Sequence, residues 1–119
     1  MTNKYTVIVS ERASKMIINN VRFLANVSVE AARKLHKEII TGIKELEFMP
    51  ESFPWLISNE IPANKYRKKL VAKRYLLIYQ IKDNTVFVDY VLDCRQDYKW
   101  FLQWDVKIEI IHIGLEMLW

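Results

Sequence analysis

Six cationic side chains fall within ten residues of this chain, and no acidic residue lies among them. They are Lys65, Arg67, Lys68, Lys69, Lys73 and Arg74. Cations this close together repel one another in the absence of an anion, so the run favours a polyanionic or acidic partner over an ordinary solvated surface. Nucleic acid is the commonest such partner, and we interpret the run as a candidate nucleic-acid-binding surface.

The charge of the whole chain is modest but unevenly distributed. The formal net charge is +4 over 119 residues. Residues 65–104 hold nine Lys or Arg and four Asp or Glu, whereas residues 105–119 hold one and three. The middle of the chain therefore supplies the basic surface, and the tail is mildly acidic.

Length and composition indicate one intracellular domain. The chain is 51% hydrophobic, with two Gly and three Pro, so it is able to bury a core and is not low-complexity. The single Cys94 excludes an internal disulfide, as expected in a reducing cytosol. No stretch has the pattern of a signal peptide or a membrane span. We expect a cytoplasmic protein without membrane contact.

The first half of the chain predicts a strand and two helices. Residues 5–9 alternate as a strand does. Ser10 and Ser28 are suitable N-caps for two amphipathic helices, and the second helix must end before Pro50. The short connection between the helices predicts an antiparallel helical hairpin.

Three strands are predicted in the second half, over residues 66–71, 75–81 and 86–92. Asp83 and Asn84 form the turn between the last two strands. A helical turn over residues 97–103 and an extra strand within residues 106–113 follow. We expect an α+β domain in which the helices cover one face of an antiparallel sheet. Arg67 and Lys69, two residues apart on one strand, are then expected on the exposed, concave face.

Three segments resemble the RelE/ParE superfamily of toxins from bacterial type II toxin–antitoxin systems. They are LEFMP at 46–50, YRKKLV at 66–71 followed by RYLLIYQI at 74–81, and VFVDYVLDCRQDY at 86–98. The resemblance covers residues 4–104. It implies a toxin domain over residues 1–104 and an extension, residues 105–119, outside it.

The resemblance implies a metal-free reaction on RNA as the leading activity. In RelE-type enzymes a ribose 2′-hydroxyl attacks the adjacent phosphate, so the protein must help remove a proton and stabilise the charge that develops. No cofactor or metal is expected. The implied target is mRNA on the ribosome, with arrest of translation as the outcome.

Four residues match the family's catalytic positions. Arg67 and Lys69 match the basic pair of the second strand, Arg95 matches the basic residue that leaves the last strand, and Tyr98 matches the C-terminal tyrosine. Lys65, Lys68, Lys73 and Arg74 are then the nucleic-acid-binding candidates. The chain departs from RelE-type enzymes at Leu76, where those enzymes have arginine.

Two other functions remain open. One is a ParE-like poison of DNA gyrase without nuclease activity, which the missing arginine favours. The other is an inactivated toxin that only binds antitoxin. In each case the resemblance implies a cognate antitoxin as partner, and a homodimer through the tail is a further expectation.

Overall fold

The computed structural model describes residues 4–57 and 62–94. The elements follow the predicted order of one strand, two helices and three strands: β1 (Thr6–Val9), α1 (Glu11–Ala25), α2 (Val29–Lys44), β2 (Arg67–Val71), β3 (Tyr75–Lys82) and β4 (Thr85–Asp93). Two short 3₁₀ turns, Glu45–Glu47 and Pro50–Ser52, lie between α2 and β2. The predicted α+β class is confirmed.

Both helices begin at the serines that the sequence indicated. The Ser10 side-chain oxygen accepts a hydrogen bond from the Ala13 amide at 3.0 Å, and the Ser28 oxygen accepts one from the Ala31 amide at 3.1 Å. Each bond satisfies one of the amides that the first turn of a helix leaves without an intrahelical partner. The helical hairpin is therefore fixed locally at both of its starts.

The sheet is mixed rather than antiparallel throughout. Its strand order is β1-β4-β3-β2, and β2, β3 and β4 form an antiparallel meander. β1 pairs with β4 in parallel, with Val7 opposite Val86. Parallel neighbours need a long connection, and here the helical hairpin and two strands separate β1 from β4 in the chain. The pattern of residues 5–9 predicted a strand but contained nothing about its partner.

The sheet is hydrophobic on both of its faces. The helix-covered face packs Leu77 and Tyr79 of β3 against Ile39 and Leu46 from α2 and the turn after it. The second face carries a smaller buried cluster: Leu56, Tyr66, Ile78, Tyr90 and Leu92. β3 contributes to both clusters and lies inside the sheet, as the sequence predicted.

Several predictions concern residues outside the described part of the chain. They are the helical turn over 97–103, the extra strand within 106–113, and the positions of Arg95 and Tyr98. In the described part, no helix is long and apolar enough to cross a membrane.

Candidate functional site

The basic pair, Arg67 and Lys69, lies on the helix-covered face of the sheet. Arg67 stands opposite Tyr79 and Lys69 opposite Leu77, and both of these partners belong to the core under the helices. The prediction that the pair lies on an exposed concave face is therefore wrong.

The position of Val71 explains this outcome. Leu70 and Val71 are adjacent apolar residues that point to opposite faces of β2, so the sequence alone did not fix which face is buried. Val71 is 7% exposed in the core, whereas Leu70 is 56% exposed. Alternation along the strand then carries Lys69 and Arg67 to the same face as Val71.

Gly42 of α2 makes room for Val71. A Cβ atom built on Gly42 would lie 2.4 Å from Cγ1 of Val71, closer than two such atoms approach. The helix therefore approaches β2 at a point where only glycine fits. A lone glycine in a helical pattern usually has a packing reason, and this signal was present in the sequence.

The Lys69 ammonium is engaged within the protein. The residue is 7% exposed. Its Nζ donates to the Gly42 carbonyl oxygen at 2.8 Å and to Glu45 Oε1 at 2.9 Å, and it lies 5.0 Å from the centroid of the Phe53 ring. A general base needs a free lone pair that faces its substrate. This nitrogen instead joins β2 to the end of α2.

Arg67 binds the loop that precedes β2. Its Nη1 donates to the carbonyl oxygens of Glu51 and Phe53 at 3.0 and 2.6 Å, and its Cζ lies 3.7 Å from the centroid of the Trp55 ring. The Tyr79 hydroxyl donates to the Pro50 carbonyl at 2.7 Å, and burial raises the pKa of that phenol. The guanidinium therefore holds residues 50–55 against the edge of the sheet.

The other four cations of the run are divided between two places. Lys68 stands opposite Ile78, which belongs to the second-face cluster. Lys65 Nζ lies 5.5 Å from the centroid of the ring of Tyr66, which belongs to the same cluster. Lys73 and Arg74 lie at the β2–β3 turn. The six cations of the run therefore do not form the one common surface expected from the sequence, because the strand sends neighbouring residues to opposite faces.

A cationic cleft does form, between the β2–β3 turn and α2. We define it by Lys34 and Lys37 of α2 together with Lys73 and Arg74 of the turn. Two adjoining depressions, of about 540 and 200 Å³, are lined by these residues. Lys34 and Lys37 were not among the predicted site residues. Their spacing of three residues on the polar side of an amphipathic helix was the available signal.

The second-face cleft, at the start of α1, has a different character. It measures about 730 Å³, with apolar walls from Ile8, Met16 and Phe87 and with Arg12 and Asp89 also lining it. Asp89 is 6% exposed. Burial raises the pKa of its carboxyl group, although the Gln80 amide donates to Oδ2 at 2.8 Å. This surface combines apolar area with charge of both signs.

A solved structure with the same fold comes from the chromosomal ParDE toxin–antitoxin system of P. aeruginosa. The similarity covers 77% of this chain and 98% of that chain, with a TM-score of 0.63 and 12% sequence identity. No curated relative matches the chain in sequence. The family model described as the ParE toxin of the type II toxin–antitoxin system parDE matches residues 7–98. Because that match spans most of the chain, the protein belongs to the ParE toxin family.

Proposed function

We propose that this toxin acts in the bacterial cytoplasm as an inhibitor of DNA gyrase and does not cleave RNA. The ParE family match supports this proposal over the RelE-type activity. The observation that carries it is the burial of Lys69 between Gly42 and Glu45.

RelE-type cleavage needs cationic groups that can reach a phosphate. A general base must contact the 2′-hydroxyl, and guanidinium or ammonium groups must contact the phosphorane oxygens. Lys69 and Arg67 donate to oxygens of the protein itself, and Leu76 stands where RelE-type enzymes have arginine. We therefore assign Arg67 and Lys69 to stabilising the fold of this chain and not to catalysis. Catalytic roles for Arg95 and Tyr98, and the extension over residues 105–119, remain predictions.

A gyrase assay tests the proposal with a matched pair of variants. Lys69→Met keeps most of the side-chain volume and removes the charge. The Glu45 side chain is 64% exposed, so the carboxylate that loses its partner stays in contact with water and is not left as a buried unpaired charge. We expect wild type and Lys69→Met to inhibit supercoiling by purified gyrase equally. Neither is expected to cut mRNA in a ribosome-dependent translation reaction.

Two results would overturn this function. One is cleavage of ribosome-bound mRNA by wild type that Lys69→Met abolishes while its melting temperature is retained. The other is unchanged gyrase activity at a molar excess of folded toxin. In cells, induction of the DNA-damage response without transcript cleavage is the expected companion result.

We further propose that a cognate antitoxin binds the second-face cleft. Apolar walls flanked by Arg12 and Lys15 suit an acidic, amphipathic segment, which buries its apolar side chains and places carboxylates at the rim. Such a segment neutralises the toxin at a surface that the Lys69 ion pair does not reach.

Co-expression with the antitoxin tests this location. Ile8 on β1 and Ile18 on α1 are 46% and 45% exposed, but only Ile8 lines the cleft. We expect Ile8→Glu to remain toxic and to escape neutralisation, whereas Ile18→Glu remains neutralised. Equal neutralisation of both variants would place the antitoxin elsewhere.

A further inference from the structure

The cationic cleft lies between two elements that are far apart in the sequence. Lys34 and Lys37 project from α2, and Lys73 and Arg74 belong to the tight turn between β2 and β3. The helix and the turn form opposite walls of the same depressions, and Lys34 and Ala72 line both of them. The positions of the four cations are therefore set by the packing of α2 on the sheet.

Positive charge predominates in this cleft. Among its described lining residues, Glu38 is the one carboxylate beside the four cations, apart from Glu45, which binds Lys69. Glu38 Oε1 lies 4.0 Å from Lys34 Nζ, and the Lys34 side chain is 79% exposed. An exposed ion pair of this kind contributes little to stability. Arg74 Nη2 donates to the Tyr75 hydroxyl at 3.3 Å, but that partner is uncharged, so most of the positive charge of the cleft remains available to a polyanion.

The lining residues distinguish between kinds of polyanion. A protein partner needs exposed apolar anchors, and a single strand of nucleic acid needs exposed aromatic rings on which bases stack. Leu35, Val71 and Tyr75 line the depressions, but all three are at least 93% buried in the core. Leu70, 56% exposed, is the one large apolar side chain exposed among the described lining residues, and it is aliphatic. One such side chain provides neither a cluster of apolar anchors nor a surface for base stacking, so the exposed part of the cleft is mainly cationic, which suits the backbone of a duplex.

The β2–β3 turn holds Lys73 in a backbone conformation that lysine rarely adopts. Ala72 and Lys73 have φ angles of 49° and 68°, in the left-handed region where glycine and asparagine are usual. Strain of this kind tends to occur at functional positions. Here it presents a cation at the tip of the turn, beside the lysines of α2.

We propose that the cationic cleft binds the phosphate backbone of duplex DNA without reading its sequence. The choice of DNA over duplex RNA rests on the proposed function, since gyrase works on DNA. Lys37 and Lys73 contact phosphates from opposite walls of the cleft, and Lys34 and Arg74 supply the remaining contacts. The toxin would in this way contact the DNA segment that gyrase holds.

Binding of the purified toxin to a labelled 30-base-pair duplex of arbitrary sequence tests the proposal. Four phosphate contacts give a slope of roughly −3.6 in a plot of log affinity against log salt, at about −0.9 per contact. Affinity should therefore fall roughly 150-fold between 50 and 200 mM salt. Duplex RNA and single-stranded DNA of equal length serve as competitors.

A pair of double variants separates the cleft from general charge. Lys37→Gln/Lys73→Gln removes one cation from each wall. The salt slope should then become shallower, at roughly −1.8, and affinity should fall only about 12-fold between 50 and 200 mM salt. Lys44→Gln/Lys82→Gln removes the same charge from exposed positions on α2 and β3 outside the cleft. This control should bind as wild type does.

Several results would overturn the proposal. They are an equal loss of binding in both double variants, no binding of wild type at 50 mM salt, and stronger binding to duplex RNA or to a polyglutamate peptide than to duplex DNA. The measurement contains no gyrase, so it can fail while gyrase inhibition stands. Conversely, if the toxin binds the duplex with the expected slopes but does not inhibit gyrase, the DNA-binding proposal stands and the proposed function fails.

Discussion

The basic pair Arg67 and Lys69 and the turn residues of the cationic cleft, Lys73 and Arg74, come from one short stretch of sequence but are used in opposite ways. Arg67 and Lys69 donate to carbonyl and carboxylate oxygens of the protein. Lys73 is exposed and lines an open depression together with Arg74, whose Nη2 also donates to the Tyr75 hydroxyl at 3.3 Å. The charge is the same, and the difference lies in which face or turn the backbone gives to each residue. A run of cations in a sequence therefore does not by itself indicate a binding surface.

The largest loss of stability is expected on replacing Arg67, whose guanidinium donates hydrogen bonds to the loop before β2. Arg67→Ala removes two hydrogen bonds from a charged donor and the contact with Trp55, and should cost about 2–4 kcal/mol of unfolding free energy. Arg22→Ala, at an exposed arginine of α1, should stay within about 0.5 kcal/mol of wild type. Urea denaturation measures both. Similar values for the two variants would contradict a structural role for Arg67.

A smaller effect is expected where α2 approaches β2. Gly42→Ala places a methyl group against Val71 at a cost of about 1–3 kcal/mol, partly offset by the gain in helix propensity of up to about 1 kcal/mol. Combining it with Val71→Ala should restore part of the loss, because the two sites share the same space. A Gly42→Ala variant that is more stable than wild type would show that α2 and β2 are not in close contact there.

The smallest change is expected at Lys73, where stability and DNA binding should change in opposite directions. Lys73→Gly relieves a positive φ and should raise the unfolding free energy by about 0.5–1 kcal/mol. The same change removes one phosphate contact and should reduce the salt slope by about 0.9. Lys73→Asn, which also tolerates this conformation, is the matched control and should weaken DNA binding equally. If Lys73→Gly is less stable than wild type, the positive φ of Lys73 does not strain the backbone.

Most of the fold was predictable because it depends on local patterns. The serine caps of α1 and α2, the apolar stripes of the helices and the Asp83–Asn84 turn act over a few residues, and the structure confirms each of them. The parallel pairing of β1 with β4 was not predictable, since a short strand contains no information about a partner almost eighty residues away.

The sequence alone determined that this chain forms two amphipathic helices and a strand meander with a concentrated basic segment. Only the tertiary structure decided what each cation does. Leu70 and Val71 offered β2 two faces of nearly equal apolarity, and the missing side chain at Gly42 selected Val71 for the core. That choice of face buried Lys69 and placed the partly exposed Arg67 on the same side, because alternate residues of a strand share a side. The packing of α2 on the sheet likewise placed Lys34 and Lys37 beside a turn that lies more than thirty residues further along the chain.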